Sequence, residues 1–155
     1  MKLSTKGRYA VMAIVDLAEQ SNGSPVSLAD VAERQEISLS YLEQLFSKLR
    51  RFGLVKSVRG PGGGYMLARP ANELRVCDIV LAVDEPLRAT RCTPGSPEGC
   101  RVNKDRCATH ELWETLGNRI FDFLNSVTIA DVCNKTIATS AVTGSLQPGH
   151  RAPVE

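Results

Sequence analysis

The sequence has no long uncharged apolar run, since no stretch of its 155 residues approaches the ~18 apolar residues that a membrane helix needs. The opening segment also lacks the apolar core and small-residue cleavage site of a secretory signal, because Asp16 and Glu19 interrupt it. These absences predict a cytoplasmic protein with no membrane partner. Thiols stay reduced in the cytoplasm, so the five cysteines indicate metal or redox chemistry rather than structural disulfides.

Signatures of enzymes are missing too. The glycine-rich segment RGPGGG is not a phosphate-binding loop, because it lacks the G-x-x-x-x-G-K-[ST] pattern and leads into a strand-like segment instead of a helix. A cluster-dependent oxidoreductase is the enzyme class that the cysteines leave open, but no substrate or cofactor motif of one appears. We therefore predict that the chain is not an enzyme.

The charges that are present divide unevenly along the chain. Residues 1–70 carry ten Lys and Arg against six Asp and Glu, a balance of +4, whereas residues 71–155 carry nine against eleven, a balance of −2. Basic surfaces attract nucleic acid, so this asymmetry favours DNA binding by residues 1–70.

The pattern of residues 1–70 predicts three helices and a hairpin. Apolar residues recur every three or four positions from Lys6 to Gln20, and Ser27 and Ser38 are suitable N-caps for a second and a third helix. Gly53 suits the end of the third helix. The alternating segments LVKSV and YMLA, joined by RGPGGG, then predict a β-hairpin. Helix, turn, helix and hairpin together predict a winged helix-turn-helix, a mainly α fold with a small β-hairpin wing.

The third predicted helix turns polar side chains outward, and these are the candidate DNA contacts. They are Ser40, Tyr41, Glu43, Gln44, Ser47, Lys48 and Arg51. Gln44 suits an adenine edge and Glu43 a cytosine amino group, whereas Lys48 and Arg51 suit phosphates. Arg59 at the hairpin tip suits a narrow minor groove. A merely solvated helix face is the alternative for each of them.

The second half of the chain predicts a dimer. The segment VCDIVLAVDE is a short amphipathic helix in which Cys77 is expected to be buried, and HELWETLGNRIFDFLNSVTIADV begins a longer helix. Its apolar residues form one narrow seam, which is typical of helix pairing; they are Trp113, Leu116, Ile120, Phe123, Leu124 and Val127. Cys133, near the end of this segment, is expected to pack, and residues 134–155, including His150, to be disordered.

A Pro- and Gly-rich loop holds three of the five cysteines and one of the two histidines. Cys92, Cys100, Cys107 and His110 follow the spacing C-x7-C-x6-C-x2-H. Zinc knuckles bring ligands in as C-x2-C pairs, which this loop lacks, but three thiolates and one imidazole remain a possible zinc set. An iron–sulphur cluster is the favoured alternative, because an imidazole among thiolates raises the reduction potential and, being neutral, binds less firmly. Such a cluster suits a sensor.

Long motifs of this chain resemble one family of regulators. The segments LSTKGRYAV, ISLSYLEQLFSKLR, GLVKSVRGPGGGY and CATHELW are similar to the IscR-like iron–sulphur-cluster-sensing winged-helix transcription regulators, from Met1 to about Cys133. The resemblance implies a homodimer that binds double-stranded promoter DNA, as activator or repressor, and that receives its cluster from the cluster-assembly machinery. It also implies control of genes for iron–sulphur biogenesis or iron homeostasis.

The resemblance further implies which residues act. Each subunit is expected to hold one cluster through Cys92, Cys100, Cys107 and His110, and to read DNA through Ser40, Glu43 and Gln44 on the recognition helix and Arg59 on the wing. The cysteine loop is longer than that of the type member between its cysteines. The resemblance favours [2Fe–2S], whereas iron-responsive relatives with a larger cluster keep [4Fe–4S] open. A thiol-based redox or nitric-oxide sensor on the same scaffold is the alternative function.

The predicted organisation follows from these assignments. It comprises a DNA-binding domain at 1–70, a linking helix at 71–90, a cluster-binding loop at 91–110, a dimerisation helix with a following short helix at 108–133, and a disordered tail at 134–155.

Overall fold

The computed structural model describes residues 4–87 and 98–137. The predicted ligand Cys92, His150 and most of the predicted tail lie outside the described residues. In chain order the elements are α1 (Thr5–Gln20), α2 (Leu28–Gln35), α3 (Leu39–Arg51), β1 (Val55–Val58), β2 (Gly64–Leu67), a 3-10 turn (Ala71–Glu73), α4 (Val76–Ala82), α5 (His110–Ser126) and α6 (Ile129–Asn134). The predicted mainly α fold with a small hairpin is confirmed.

Local hydrogen bonds explain where the first three helices begin and end. Ser27 Oγ accepts from the Asp30 amide at 3.1 Å, and Ser38 Oγ accepts from the Tyr41 amide at 3.3 Å, so both serines cap their helices. Gly53 follows α3 with φ +70°, a conformation that costs a glycine little. The helix-turn-helix is therefore specified by short-range signals.

Helix α1 lies at the centre of the molecule and contacts α2, α3, α4, α6 and β2. Its inward face is fully buried and includes two alanines, Ala10 and Ala13, beside Ile14 and Leu17. Small side chains let neighbouring helices approach closely. The same apolar core therefore joins the helix-turn-helix to the elements that follow the hairpin.

A buried carboxylate fixes α1 against α2. Asp16 is 3% exposed and accepts hydrogen bonds from Arg34 Nη2 at 2.6 Å and from Gln35 Nε2 at 2.8 Å. Burial alone would raise the pKa of Asp16, but these two hydrogen bonds and the charge of Arg34 hold the pKa below its ordinary value. The carboxylate thus stays ionised within the helix pair.

The hairpin β1–β2, called the wing below, is attached to α3 and to the segment before α2. Its antiparallel register runs from Val55 opposite Leu67 to Val58 opposite Gly64. A β-bridge joins Tyr65 to Val26, and the Tyr65 ring meets the Phe46 ring edge-on at 4.9 Å. A Cβ on Gly64 would lie 2.2 Å from the Val26 carbonyl oxygen, so this close approach requires glycine.

The C-terminal segment forms a long helix, α5, and a short helix, α6, which are separated at Val127 and Thr128. Thr128 and Asp131 form a capping box that starts α6, and Thr128 pairs with Arg75 in a β-bridge. The Val76 amide donates to the Val127 carbonyl at 3.0 Å. These backbone pairings with a distant segment end α5 at Ser126. Val127 is 6% exposed and belongs to the core of its own chain, so its assignment to the predicted seam was wrong.

Candidate nucleic-acid interface and cluster site

Most of the predicted DNA-reading residues share one exposed side of α3. Ser40, Glu43, Gln44 and Arg51 are all exposed. Residues 40, 44, 47 and 51 are three or four positions apart, so Ser47 lies on the same side of the helix. The opposite side, which includes Leu42 and Leu49, is buried in the core. Packing of one side therefore presents the other as a fixed polar surface.

Tyr41 and Lys48 are placed differently from the other candidates. Both are half-buried. The Tyr41 ring meets the Tyr9 ring edge-on with centroids 6.1 Å apart. Lys48 Nζ lies 2.6 Å from Asp84 Oδ2 in the segment that follows α4. Tyr41 therefore packs against a ring of α1 and Lys48 is paired with a carboxylate, whereas the other candidates on α3 are exposed.

Arg59 is exposed at the tip of the wing, as the predicted role in the minor groove requires. The tip turns through Gly60 at φ +100° and Gly62 at φ +70°. Arg50 Nη1 donates to Ser57 Oγ at 3.5 Å, which links α3 to β1. This link was not expected from the sequence, because Arg50 and Ser57 belong to different predicted elements.

Three of the four predicted cluster ligands lie together. Cys100 Sγ is 3.3 Å from Cys107 Sγ and 3.4 Å from His110 Nδ1. The Cys107 amide also donates to Cys100 Sγ at 3.3 Å. The structure therefore places a second thiol and an imidazole beside the Cys100 thiol.

A tight turn between the two cysteines creates this proximity. The Gly99 amide donates to the Lys104 carbonyl at 2.8 Å, and the Arg101 amide donates to the Asp105 carbonyl at 3.1 Å. A Cβ on Gly99 would lie 2.2 Å from the Asp105 carbonyl group, so the close approach of the two backbone segments requires glycine. The turn carries Cys100 back towards Cys107.

His110 is the first residue of α5 and the most buried member of the group, at 4% exposed. Its amide donates to the Cys107 carbonyl at 3.0 Å. Its Nε2 atom is buried and has no hydrogen-bond partner among the described residues, the nearest carboxylate oxygen being Glu114 Oε2 at 3.6 Å. A buried imidazole whose polar atoms are incompletely satisfied fits the environment of a metal ligand.

The donor chemistry of this group fits an iron–sulphur cluster. Within 4–87 and 98–137, no group of three or more His, Cys, Asp or Glu side chains is arranged to hold a metal ion, and the expected fourth donor, Cys92, lies outside those ranges. Thiolates with an imidazole are the ligands of clusters of raised potential. Cys100, Cys107 and His110 are the described residues that would hold such a group.

The other described cysteines lie in apolar surroundings away from this group. Burial raises the pKa of the Cys77 thiol, and the charge of Asp78 adds to the effect. Burial likewise raises the pKa of Cys133, with a smaller contribution from Glu19. A protonated, buried thiol reacts slowly, so both cysteines suit packing.

The fold and the polar side of α3 define a class of protein: a winged helix-turn-helix transcription regulator, not an enzyme. The chain belongs to the Rrf2 family of iron-dependent transcriptional regulators, whose family model matches residues 3–135.

In the described residues, no helix has both the length and the apolar character that a membrane crossing needs.

Individual relatives agree with this assignment. The chain is 58% identical over 134 residues to the transcriptional regulator IscR of Pectobacterium carotovorum, with 86% of this chain and 80% of that protein covered. It is 57% identical to IscR of Serratia proteamaculans over the same shares. The resemblance predicted from the sequence motifs is confirmed.

Solved structures show the same fold. The structure of T. potens IscR has a TM-score of 0.71 and 40% identity, with 93% of this chain and 94% of that chain covered. The structure of CymR, the global cysteine regulator of B. subtilis, has a TM-score of 0.72 and 33% identity, with 87% of this chain and 98% of that chain covered.

Proposed function

We propose that the chain forms a homodimeric regulator that binds promoter DNA and responds to an iron–sulphur cluster. The cluster is held in each subunit by Cys92, Cys100, Cys107 and His110. The observation that carries the proposal is the position of Cys100 Sγ, which lies 3.3 Å from Cys107 Sγ and 3.4 Å from His110 Nδ1. Identity to proteins named IscR and the iron-dependent family support it.

When bound, the cluster supplies a centre that can change oxidation state or be lost. The neutral imidazole of His110 favours a raised potential and weaker retention than a fourth thiolate would give. We propose [2Fe–2S] as the cluster, by similarity to the relatives, and [4Fe–4S] is the other outcome of the test below. The cluster-assembly machinery of the cytoplasm is the proposed donor.

The dimer is proposed from the surface of α5. Only His110 is buried among the described side chains of this 17-residue helix. Its large exposed apolar residues are Leu112, Trp113, Leu116, Phe121 and Phe123. Trp113, Leu116 and Phe123 belong to the predicted seam, whereas Leu112 and Phe121 widen it. An apolar surface of this kind fits a second copy of the same helix, and two copies place two recognition helices on successive half-sites.

DNA reading is proposed for the polar side of α3 and for the wing. Ser40, Glu43 and Gln44 supply short donors and acceptors for base edges, and Arg51 a charge for a phosphate. Arg59 enters the minor groove. Glu43 repels phosphates, so it selects among sequences rather than adding affinity. Lys48 and Tyr41 complete the proposed surface.

Cluster occupancy is proposed to change promoter choice. Cys107 and His110 lie at the start of α5, so a cluster bound there fixes the position of the helix that forms the dimer. The cluster can shift the equilibrium between two arrangements of the dimer only by the difference between its affinities for them. The genes controlled are proposed to be those of iron–sulphur biogenesis or iron homeostasis.

Purification without oxygen tests the cofactor. We expect a coloured protein with equal iron and inorganic sulphide, and the ratio of iron to subunit with the absorption spectrum distinguishes [2Fe–2S] from [4Fe–4S]. Cys107→Ala should lose the colour and remain dimeric, whereas the matched variant Cys133→Ala should keep it. A colourless wild-type protein that contains only zinc would contradict the proposal.

A thiol switch is the second candidate, and one distance favours it. Cys100 Sγ and Cys107 Sγ are close enough, at 3.3 Å, for a small rotation to bring them to bonding distance. A peroxide would oxidise the two thiols to a disulfide, taking up two electrons and two protons as it is reduced to water or alcohol. Protein that carries no inorganic sulphide but changes DNA affinity reversibly with peroxide and dithiol would establish this candidate.

A further inference from the structure

We propose that Asp84 is a positioning residue that binds Lys48 of the recognition helix and so weakens non-specific DNA binding. The inference rests on the proposed reading of DNA by α3. Lys48 Nζ lies 2.6 Å from Asp84 Oδ2, although the two residues are 36 positions apart. The pair joins the DNA-reading helix to the segment that follows α4.

The pair lies where DNA would approach. Lys48 is one helical turn beyond Gln44 and three positions before Arg51, both of which are exposed. The side chain of Lys48 is 35% exposed and that of Asp84 is 66% exposed. A phosphate that reaches Lys48 therefore competes with the Asp84 carboxylate for the same ammonium group and is repelled by it.

Asp84 also neutralises a wider basic patch. The hydrogen bond and charge of Lys48 lower the pKa of Asp84, and the charges of Lys6 and Arg51 lower it further. Three cations from α1 and α3 thus act on this one carboxylate. Without the carboxylate, the positive potential of these three cations would attract the DNA phosphates.

The backbone holds Asp84 in this position. It adopts the left-handed conformation at φ +58°, and its amide donates to the Leu81 carbonyl at 3.0 Å. The next residue, Glu85, is 8% exposed and accepts from the Ser4 amide at 2.9 Å and from the Ser4 hydroxyl. Gly7 lies against Glu85, where an added Cβ would be 3.4 Å from its Cγ. These contacts hold the backbone of residues 84 and 85 beside the start of α1, and the Asp84 carboxylate meets Lys48 of α3.

The expected effect is on binding, because exposed ion pairs contribute little to folding. Freeing Lys48 adds about one phosphate contact per subunit, which steepens the dependence of log K on log salt by about 0.9 per subunit, or about 1.8 for the proposed dimer. The gain belongs to the sequence-independent part of the affinity, because phosphate contacts supply nearly all of non-specific binding. Asp84 thereby weakens that part of the affinity.

The experiment is a double-mutant cycle on the full chain with Asp84→Asn, Lys48→Ala and the pair. Binding is followed by fluorescence anisotropy in a potassium chloride series. One duplex is of mixed sequence, and the other is selected by the wild-type protein from a random pool. Glu73→Gln, which removes an exposed carboxylate elsewhere, is the matched control, and thermal melting shows that each variant is folded.

Asp84→Asn should tighten binding to the mixed duplex roughly 3- to 10-fold at low salt and steepen the slope. The same change in the Lys48→Ala background should give a clearly smaller gain, because only the charges of Lys6 and Arg51 are then released, and Glu73→Gln should have little effect. An equal gain with and without Lys48, or no gain at all, overturns the inference. If the wild-type chain binds the selected duplex but the cycle shows no coupling between Asp84 and Lys48, only this inference is refuted. If the wild-type chain binds neither duplex, the proposed function is refuted.

Discussion

Helices α1 and α5 are of nearly equal length, 16 and 17 residues, but they are stabilised in opposite ways. Helix α1 buries Ala10, Ala13, Ile14 and Leu17 completely within its own chain. Among the described residues, α5 buries only His110 and leaves five large apolar side chains exposed. The comparison teaches that α1 completes the core of its own chain, whereas α5 exposes the apolar surface that the proposed partner subunit would cover.

The largest expected effect comes from breaking the core behind the recognition helix. Phe46 is fully buried and contacts the Tyr65 ring of the wing. Phe46→Ala should lower the free energy of unfolding by about 3–5 kcal/mol, through lost burial and the cavity left behind. Urea denaturation measures this loss, and a variant of ordinary stability would show that α1 and α3 do not share one tight core.

A charge on α5 should separate the subunits and leave the DNA-reading unit folded. Leu116 is 37% exposed in the single chain, so Leu116→Glu should cost little within a subunit. In the proposed dimer it buries a charge, and we expect the dissociation constant to rise roughly 100-fold. Light scattering after gel filtration gives the mass, and Asn118→Glu, which adds the same charge at an exposed position on the other side of α5, is the control. If the Leu116→Glu variant dimerised with the same dissociation constant as wild type, the interface would lie elsewhere.

The buried carboxylate of α1 should make stability depend on pH. Asp16→Ala leaves Arg34 and Gln35 without their acceptor, and we expect a loss of about 1–3 kcal/mol, moderated because Arg34 reaches water. The pKa of Asp16 is lowered in the folded state, so its contribution is present above the ordinary carboxyl pKa of about 4 and is lost as pH falls through the lowered value. Unfolding curves from pH 7 downwards should converge for wild type and variant. If the difference in stability between wild type and variant stayed constant as pH falls, the predicted contribution of Asp16 ionisation would be excluded.

The smallest expected effect concerns the break between α5 and α6. Thr128→Ala removes the side chain that accepts from the Asp131 amide at 3.1 Å, and loss of such a cap costs about 1 kcal/mol. Thr128→Ser keeps the hydroxyl and should retain most of that stability. Thermal melting separates the two variants. Equal melting temperatures would mean that the Thr128 hydroxyl does not stabilise the start of α6.

Local signals made most of the DNA-reading unit predictable. Ser27, Ser38 and Gly53 each act within a few residues of the chain, so their roles can be read without knowing the tertiary structure. The end of α5 could not be found this way, because Val127 and Ile129 continue the apolar pattern across the break. That break depends on backbone pairing with residues 74–76, about 50 positions earlier.

The candidate site was predictable in its chemistry but not in its contacts. The types and spacing of Cys100, Cys107 and His110 indicate a ligand group, yet their proximity depends on a turn that needs Gly99. The ion pair of Lys48 with Asp84 joins residues from two different predicted elements. Long-range contacts of this kind leave no periodic signal in the sequence.

The central claim is that cluster binding at the start of α5 changes DNA recognition by α3. It is tested most directly by measuring, without oxygen, the affinity of one protein preparation for two duplexes before and after the cluster is removed by chelation. One duplex is selected by the cluster-bound protein and the other by the cluster-free protein. We predict that the ratio of the two affinities changes at least several-fold and is restored when the cluster is rebuilt. An unchanged ratio, with the cluster demonstrably lost and the protein still folded, would contradict the claim.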